Sequence, residues 1–153
     1  MANTYSQIYL HVVFAVAERQ HLIQPAWKED LHRYITGIAT NHRTKLIAIN
    51  SMPDHVHILV GLRPDLALSD LVKEIKVGST HHIKLKGWVP GRFHWQEGFG
   101  AFSHSHSQID TVVRYIENQE THHRRRTFHE EYIEMLRKFA VDHDERFIFK
   151  PME

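Results

Sequence analysis

The histidine pair at positions 55 and 57 is the first feature of this sequence that could perform chemistry. His55, Val56 and His57 open an apolar run that is typical of a β-strand. Alternation along a strand sends both imidazoles to one face of the sheet and Val56 to the other. Two ring nitrogens could therefore bind one cation, and Asp54 could orient a ligand or balance charge. Taken alone, the pair is explained equally well by a solvated or hydrogen-bonded strand face.

A second group of polar side chains lies much later in the chain, on a predicted helix. Tyr115 and Gln119 are four residues apart and therefore share one helix face, which His122 and Arg126 continue. The helical period turns this face away from the predicted buried stripe, which consists of Ile109, Val112, Val113 and Ile116. The helix could thus present a tyrosine nucleophile beside a metal ligand. For the helix alone, a surface tyrosine that covers apolar neighbours is the simpler interpretation.

The composition limits the chemistry that these groups can perform. The 153 residues contain no cysteine, which excludes disulfides, thiolate metal sites and cysteine nucleophiles. The 15 histidines invite a search for metal ligands, whereas 19 basic against 18 acidic residues give no global charge that would indicate nucleic acid. The length is that of one compact domain, and no repeat or linker divides it, so residues 1–153 are predicted to be a single domain.

Two kinds of segment are absent from the sequence. There is no apolar run of the roughly 20 residues that cross a bilayer and no signal-peptide pattern, so we expect a cytoplasmic protein without membrane contact. There is also no GxxxxGK[ST] motif, and we expect no nucleotide cofactor.

Hydrophobic patterning predicts the elements that position these groups. Strands are predicted over residues 6–16, 44–50 and 55–62. Helices are predicted from Pro25 through Ile38, from a Ser69 cap towards Leu85, from a Ser107 cap to about Arg126, and over residues 128–140. Residues 87–102 are expected to form a strand pair or a strand plus loop, and residues 146–150 a short apolar tail. This order predicts an α+β fold of the ferredoxin-like or RRM-like kind, an antiparallel sheet with helices packed on one face.

The two polar groups together match a known family. The strand motif at residues 54–57 (DHVH), followed by residues 115–119 (YIENQ), resembles the single-tyrosine HUH transposases of small insertion sequences, the IS200-like family. Residues 9–14 (YLHVVF), the lysine-containing second helix and residues 95–99 (WQEGF) extend the resemblance over most of the chain. The family places the histidine pair on a central strand and the tyrosine on a C-terminal helix.

The resemblance implies a role for each site residue. His55, His57 and Gln119 would be metal ligands, and Tyr115 the nucleophile. Mg²⁺ or Mn²⁺ is the metal that the family implies, whereas imidazole ligands by themselves favour Mn²⁺ or a later transition metal.

The implied reaction cleaves and rejoins single-stranded DNA by metal-assisted transesterification through a 5′-phosphotyrosine intermediate, and so moves an insertion sequence. Phosphoester energy is conserved, so ATP is not required. The resemblance also implies a homodimer, with hairpin-forming element ends as the substrate.

Basic residues near the two motifs are the expected DNA contacts, because phosphates are bound by cationic side chains. They are Lys73 and Lys76 on the second helix, and His122, Arg124, Arg125 and Arg126 beyond Gln119. For each lysine, a solvated helix face is an equally good explanation. The aromatic residues Trp88, Phe93, Trp95 and Phe99 could stack unpaired bases, although such segments more often form core and turn.

Three other functions compete with this hypothesis. A replication-initiator or relaxase-type nickase would keep the site but usually carries further domains. A non-catalytic ferredoxin-like RNA-binding module would present aromatic side chains on its sheet instead of histidines. A small metal-dependent hydrolase would use water and could dispense with Tyr115.

Overall fold

The four strands form one antiparallel sheet in the order β2-β3-β1-β4. In this computed structural model, residues 3–144 and residue 148 are described. The strands are β1 (Tyr9–Ala15), β2 (Lys45–Met52), β3 (His55–Gly61) and β4 (Gly100–His104). The helices are α1 (Pro25–Asn41), α2 (Leu68–Lys86), α3 (Ile109–Glu117), α4 (Gln119–His123) and α5 (Phe128–Lys138). The predicted ferredoxin-like α+β class is confirmed, and the histidine pair lies on β3, an inner strand.

One face of the sheet packs against α1 and α2 and holds the larger core. Alternate residues of the inner strands point to this side, since the side-chain period of a strand is two. The core consists mainly of Val12 and Phe14 of β1, Val56, Ile58 and Val60 of β3, Leu31 and Ile35 of α1, and Leu71 and Ile75 of α2. This face contains no member of the predicted metal site.

The opposite face is covered by the C-terminal helices, so the expectation that the helices share one face holds only for α1 and α2. Residues 11–15 of β1 and 55–60 of β3 are buried without alternation. Strands that are apolar on both sides need a layer on each side. On the second face, α5 packs on Val13, Ala15 and Phe102, and α3 packs on Ala48 and Leu59.

The helix predicted from Ser107 to Arg126 is divided, which corrects the expected continuous element. α3 ends before Asn118, and α4 begins at Gln119. The side-chain amide of Asn50, on β2, donates to the carbonyls of Ile116 and Glu117 at 2.9 and 3.3 Å. Those carbonyls are the acceptors that a continuing helix would use. A long-range hydrogen bond thus ends the helix within the predicted span.

Helices α2 and α3 do not begin at the cap residues predicted for them. α2 begins after Ala67 and places Ser69 inside the helix, and Ser107 lies in a 3-10 turn ahead of α3. The clear cap belongs to α5, where the Thr127 hydroxyl accepts from the Glu130 amide in a capping box. Residues 87–99 form a loop that leads into β4, in agreement with a strand plus loop. Of the predicted tail at residues 146–150, only Ile148 lies within the described residues.

Candidate active site

His55 and His57 lie on the face of β3 beneath the C-terminal helices, and both side chains are fully buried. The strand alternation predicted for them is therefore observed, with Val56 in the core on the other side. Nδ1 of His55 is 2.6 Å from a carboxylate oxygen of Asp54. Because a carboxylate only accepts, this nitrogen carries the proton, and Nε2 is left to face the site. Asp54 thus orients His55, as expected.

His57 is oriented by a second buried histidine. Its Nδ1 lies 2.8 Å from Nε2 of His11, which is on the neighbouring strand β1. Burial, followed by the charge of His57, holds the pKa of His11 well below its ordinary value. Burial likewise lowers the pKa of His55 to about 4, against the opposing effect of Asp54. A neutral imidazole is the form that binds a metal ion.

Glu131 is a site residue that the sequence did not reveal. It lies on α5, is 1% exposed, and places Oε1 at 3.2 Å from Nε2 of His57 and 3.7 Å from Nε2 of His55. Nε2 of His123, at the end of α4, is 3.3 Å from the same oxygen. Burial opposes the charge of Glu131, but the close approach of His123 and His57 to the carboxylate holds its pKa far below the usual range. An ionised carboxylate therefore lies among three histidines.

These four residues form a group that could hold a metal ion. One ligand atom from each of His55, His57, His123 and Glu131 lies within 4.8 Å of the others. Nε2 of His55 and Nε2 of His57 are buried and have no hydrogen-bond partner within the described part of the chain. Buried polar atoms without a partner are costly unless an ion or water satisfies them. The donor set therefore fits a divalent cation.

Tyr115 reaches this group from α3. Its hydroxyl donates a short hydrogen bond to Oε2 of Glu131, and its ring stacks on His122 with centroids 4.5 Å apart. Burial, followed by the charge of Glu131, raises the pKa of Tyr115 well above the ordinary value. The side chain is half-buried and packs partly against the apolar cluster under α3, so it is turned less far from the core than predicted.

Gln119 lies beside the group and is fully buried. Its amide nitrogen is 3.2 Å from Oε2 of Glu131 and 3.3 Å from the carbonyl of Tyr115, and its amide oxygen is 3.0 Å from Nε2 of His123. The predicted pairing of Tyr115 with Gln119 is thus present, although α3 ends between them. Both side chains meet the same carboxylate.

The predicted basic contacts divide into two regions. Arg124 and Arg125 are exposed and line a groove that also borders Asp54 and His123. Arg126 forms an ion pair with Glu134, while His122 contacts Tyr115 as described. These four predicted residues surround the site.

Lys73 and Lys76 lie on α2, which packs on the other face of the sheet. Lys76 is half-buried and donates to the carbonyls of Gln96 and Gly98 at 2.8 and 2.6 Å. The ammonium group therefore fastens the loop before β4, whereas Lys73 is exposed beside it. Neither lysine approaches the histidine pair.

The aromatic residues of the loop mostly serve the core. Phe93 and Trp95 are buried, and the Trp95 indole donates to Ser79 at 2.9 Å. Trp88 stacks on Trp27 with centroids 4.8 Å apart, and Phe99 packs against the same core. These contacts agree with the prediction that such aromatic residues more often form core and turn.

A sequence signal for Glu131 does exist. It stands three residues after Phe128 and four before Met135, both of which α5 buries against the sheet. A carboxylate on the apolar face of a helix needs a buried partner. His123 carried no comparable signal, because it follows another histidine in a basic stretch.

Comparison with known proteins identifies the family of this chain. The family model described as "Transposase IS200 like" matches residues 4–119. The ISDra2 transposase TnpA of Deinococcus radiodurans is 26% identical over 118 residues, which cover 74% of this chain and 84% of that protein. The chain therefore belongs to the IS200-like transposase family, and the resemblance inferred from its motifs is confirmed.

Two solved structures share the fold. A crystal structure of a protein described as a transposase, from Deinococcus radiodurans R1, has a TM-score of 0.59 at 26% identity, covering 78% of this chain and 95% of that one. A REP-associated tyrosine transposase bound to a REP hairpin has a TM-score of 0.61 at 18% identity, covering 100% and 96%. At that identity, the second likeness concerns the fold alone.

None of the described helices is suited to span a membrane. Across residues 3–144 and residue 148, none of the helices combines the length and apolar character that a bilayer span requires.

Proposed function

We propose that this transposase cleaves and rejoins single-stranded DNA with Tyr115 as its nucleophile. The observation that carries the proposal is that Tyr115 and His57 meet at one carboxylate, that of Glu131. The candidate nucleophile thus lies at the candidate metal centre of the same chain. A surface tyrosine would not be held in this way.

His55 and His57 would hold a divalent cation, with Mg²⁺ or Mn²⁺ as the family's expectation and Gln119 as the expected further ligand. Bound there, the cation would act as a Lewis acid on the scissile phosphate and offset the negative charge of Glu131. Asp54 and His11 fix the ring orientations that such binding needs.

In the proposed reaction, the Tyr115 oxygen attacks phosphorus and forms a 5′-phosphotyrosine link. The bond from phosphorus to the 3′ oxygen breaks, and the proton lost by the phenol is balanced by the one that the released 3′-OH gains. A second 3′-OH later attacks the phosphotyrosine and reverses both changes. One phosphoester is exchanged for another in each step, so no cofactor has to supply energy.

The groove beside the site would receive the strand. Arg124 and Arg125 line it next to Asp54, and cationic side chains in such a groove would contact phosphates. The REP-associated relative is bound to a REP hairpin. That relative supports hairpin-forming DNA as the partner here, and the family's homodimer remains a prediction for this chain.

A denaturing gel tests the proposal. The protein is incubated with labelled single-stranded oligonucleotides that carry the element ends, together with Mn²⁺ or Mg²⁺. We expect a covalent protein–DNA adduct that Tyr115→Phe abolishes while DNA binding is retained, because only the attacking oxygen is removed. His57→Ala should abolish metal-dependent cleavage without unfolding the domain.

Two outcomes would contradict the proposal. An adduct that persists in Tyr115→Phe would assign the nucleophile to another tyrosine, among Tyr5, Tyr9, Tyr34 and Tyr132. Cleavage without any adduct, equal in wild type and Tyr115→Phe, would indicate a hydrolase that activates water.

A further inference from the structure

Three buried atoms in the site converge without any hydrogen bond to satisfy them. They are Nε2 of His55, Nε2 of His57 and Oε1 of Glu131, all without a hydrogen-bond partner among the described residues. Glu131 lies on α5, beyond residues 4–119 that the family model matches. The family pattern therefore assigns this carboxylate no role, although it is as deeply buried as the histidines.

With both Nε2 atoms unprotonated, which is the form that binds a metal, this arrangement is repulsive without a cation. The Nδ1 proton of His55 is directed to Asp54, and Nδ1 of His57 is paired with His11. When both Nδ1 atoms carry the protons, both Nε2 lone pairs face Oε1 of an ionised carboxylate. Three electron-rich atoms at these distances require a positive charge between them.

The distances are those of neighbouring ligands on one ion. Oε1 of Glu131 lies 3.2 Å from one Nε2 and 3.7 Å from the other. Ligands that each lie about 2.0–2.2 Å from a metal are roughly 3–3.5 Å apart when adjacent in octahedral or tetrahedral geometry. The first separation lies in this range and the second slightly beyond it, so a small side-chain adjustment would place an ion among these atoms.

Gln119 and His123 are engaged with each other and with Glu131. The amide oxygen of Gln119 can only accept, so Nε2 of His123, 3.0 Å away, carries a proton and has no lone pair for a metal. The amide nitrogen of Gln119 donates to Oε2 of Glu131, as does the Tyr115 hydroxyl. Oε2 is thereby occupied, and Oε1, which His123 approaches at 3.3 Å, is the oxygen that faces both imidazoles of the pair.

We propose that Glu131 is the third protein ligand of the divalent ion, and that Gln119 is a positioning residue that acts through Glu131. The proposal rests on the metal site of the proposed function and changes its ligand set. Two imidazoles and one carboxylate favour Mn²⁺ or another transition metal over Mg²⁺. The open positions of such a set would remain for phosphate oxygens. The assignment of Glu131 as a ligand also makes α5 part of the active site.

Metal binding measured without DNA tests this assignment. Full-length protein is titrated with Mn²⁺ by calorimetry, for wild type, Glu131→Gln, Gln119→Ala and the neighbouring control Glu130→Gln. Removing an orienting partner typically lowers metal affinity by about 10–100-fold, and removing a ligand should cost more. We therefore expect about a hundredfold loss or more in Glu131→Gln, about tenfold in Gln119→Ala, and none in the control. The control keeps the α5 cap, since glutamine serves in a capping box.

Glu131→Asp guards against misfolding of the glutamine variant. It retains the charge on a shorter side chain, and we expect intermediate Mn²⁺ affinity with a circular dichroism spectrum like that of wild type. Wild-type affinity in both Glu131 variants, loss of binding in Gln119→Ala alone, or no Mn²⁺ binding by the wild-type chain would each overturn the assignment.

Failure of the proposed function would look different. If Mn²⁺ binds through Glu131 but no Tyr115-dependent adduct forms, the cleavage mechanism is wrong and the ligand assignment stands. If the adduct forms and Glu131→Gln binds Mn²⁺ normally, only the ligand assignment falls.

Discussion

At the scale of single residues, the histidines of this chain differ in what they are hydrogen-bonded to. His55 and His57 form their hydrogen bonds through Nδ1 and keep Nε2 towards Glu131 in the site. Nε2 of His32 lies on the other face of the sheet, 2.8 Å from the hydroxyl of Ser51, and does not belong to the site. Burial, followed by the charge of Lys28 and opposed by Glu29, lowers the pKa of His32 to about 4.

The His32 pKa predicts an acid-sensitive contribution to stability. A folded-state pKa below the unfolded value means that the unfolded chain takes up the proton first as the pH falls. The contribution is therefore complete above about pH 6.5 and is lost progressively towards pH 4. Between pH 7 and pH 4.5, we expect the unfolding free energy of wild type to fall by about 2 kcal/mol more than that of His32→Gln. Urea unfolding at several pH values measures this difference.

The exposed His81 supplies the control for that measurement. His81→Gln makes the same substitution at an exposed position, so it separates the effect of burial at His32 from that of losing an imidazole. Parallel pH profiles for wild type and His32→Gln would show that His32 is not the titrating group.

At the scale of elements, α5 connects stability to the site. Its apolar residues pack on Val13 and Phe102 of the sheet, and that packing carries Glu131 to the histidines. The helix begins with the capping box of Thr127 and Glu130. The start of α5, as well as its packing, therefore contributes to how Glu131 is placed.

Removing the cap should destabilise the protein without removing any site residue. Thr127→Ala loses the hydroxyl that accepts from the Glu130 amide, and such caps are worth about 1 kcal/mol. We expect a decrease of that size in the free energy of unfolding, measured by chemical denaturation. Thr127→Ser retains the hydroxyl and should behave like wild type. Equal stability of all three proteins would show that the capping box contributes nothing.

At the scale of the whole molecule, one chain contains both halves of the site. Tyr115 of α3 lies beside His57 of β3, with ring centroids 6.1 Å apart. A homodimer could use this arrangement in each subunit, or it could exchange the tyrosine helices between subunits. The structure of the single chain favours the first arrangement.

Mixing two inactive variants distinguishes these possibilities. Tyr115→Phe lacks the proposed nucleophile, and His57→Ala lacks a proposed metal ligand. If each tyrosine serves the site of its own chain, the mixture should form no adduct with labelled DNA. Recovery of the adduct would show that the tyrosine of one subunit acts in the site of the other. Light scattering on the same samples tests the predicted dimer directly.

Much of the fold and part of the site followed from local patterns. Strand alternation put His55 and His57 on one face, and the four-residue spacing put Tyr115 beside Gln119. The order of strands and helices was enough to predict the ferredoxin-like class. Each of these features depends on the period of one element or on neighbours in sequence, which is why the sequence alone could determine them.

Only the tertiary structure decided which other groups enter the site. Glu131 arrives because α5 packs across the sheet, and α3 ends where it does because Asn50 of β2 takes its last carbonyls. Lys76 donates to the carbonyls of Gln96 and Gly98 in the loop before β4, so its ammonium group is not free to contact phosphate. These outcomes depend on contacts between residues far apart in the chain, whose geometry no local period encodes. The sequence by itself determined the histidine pair and its tyrosine; the folded chain added the carboxylate that joins them.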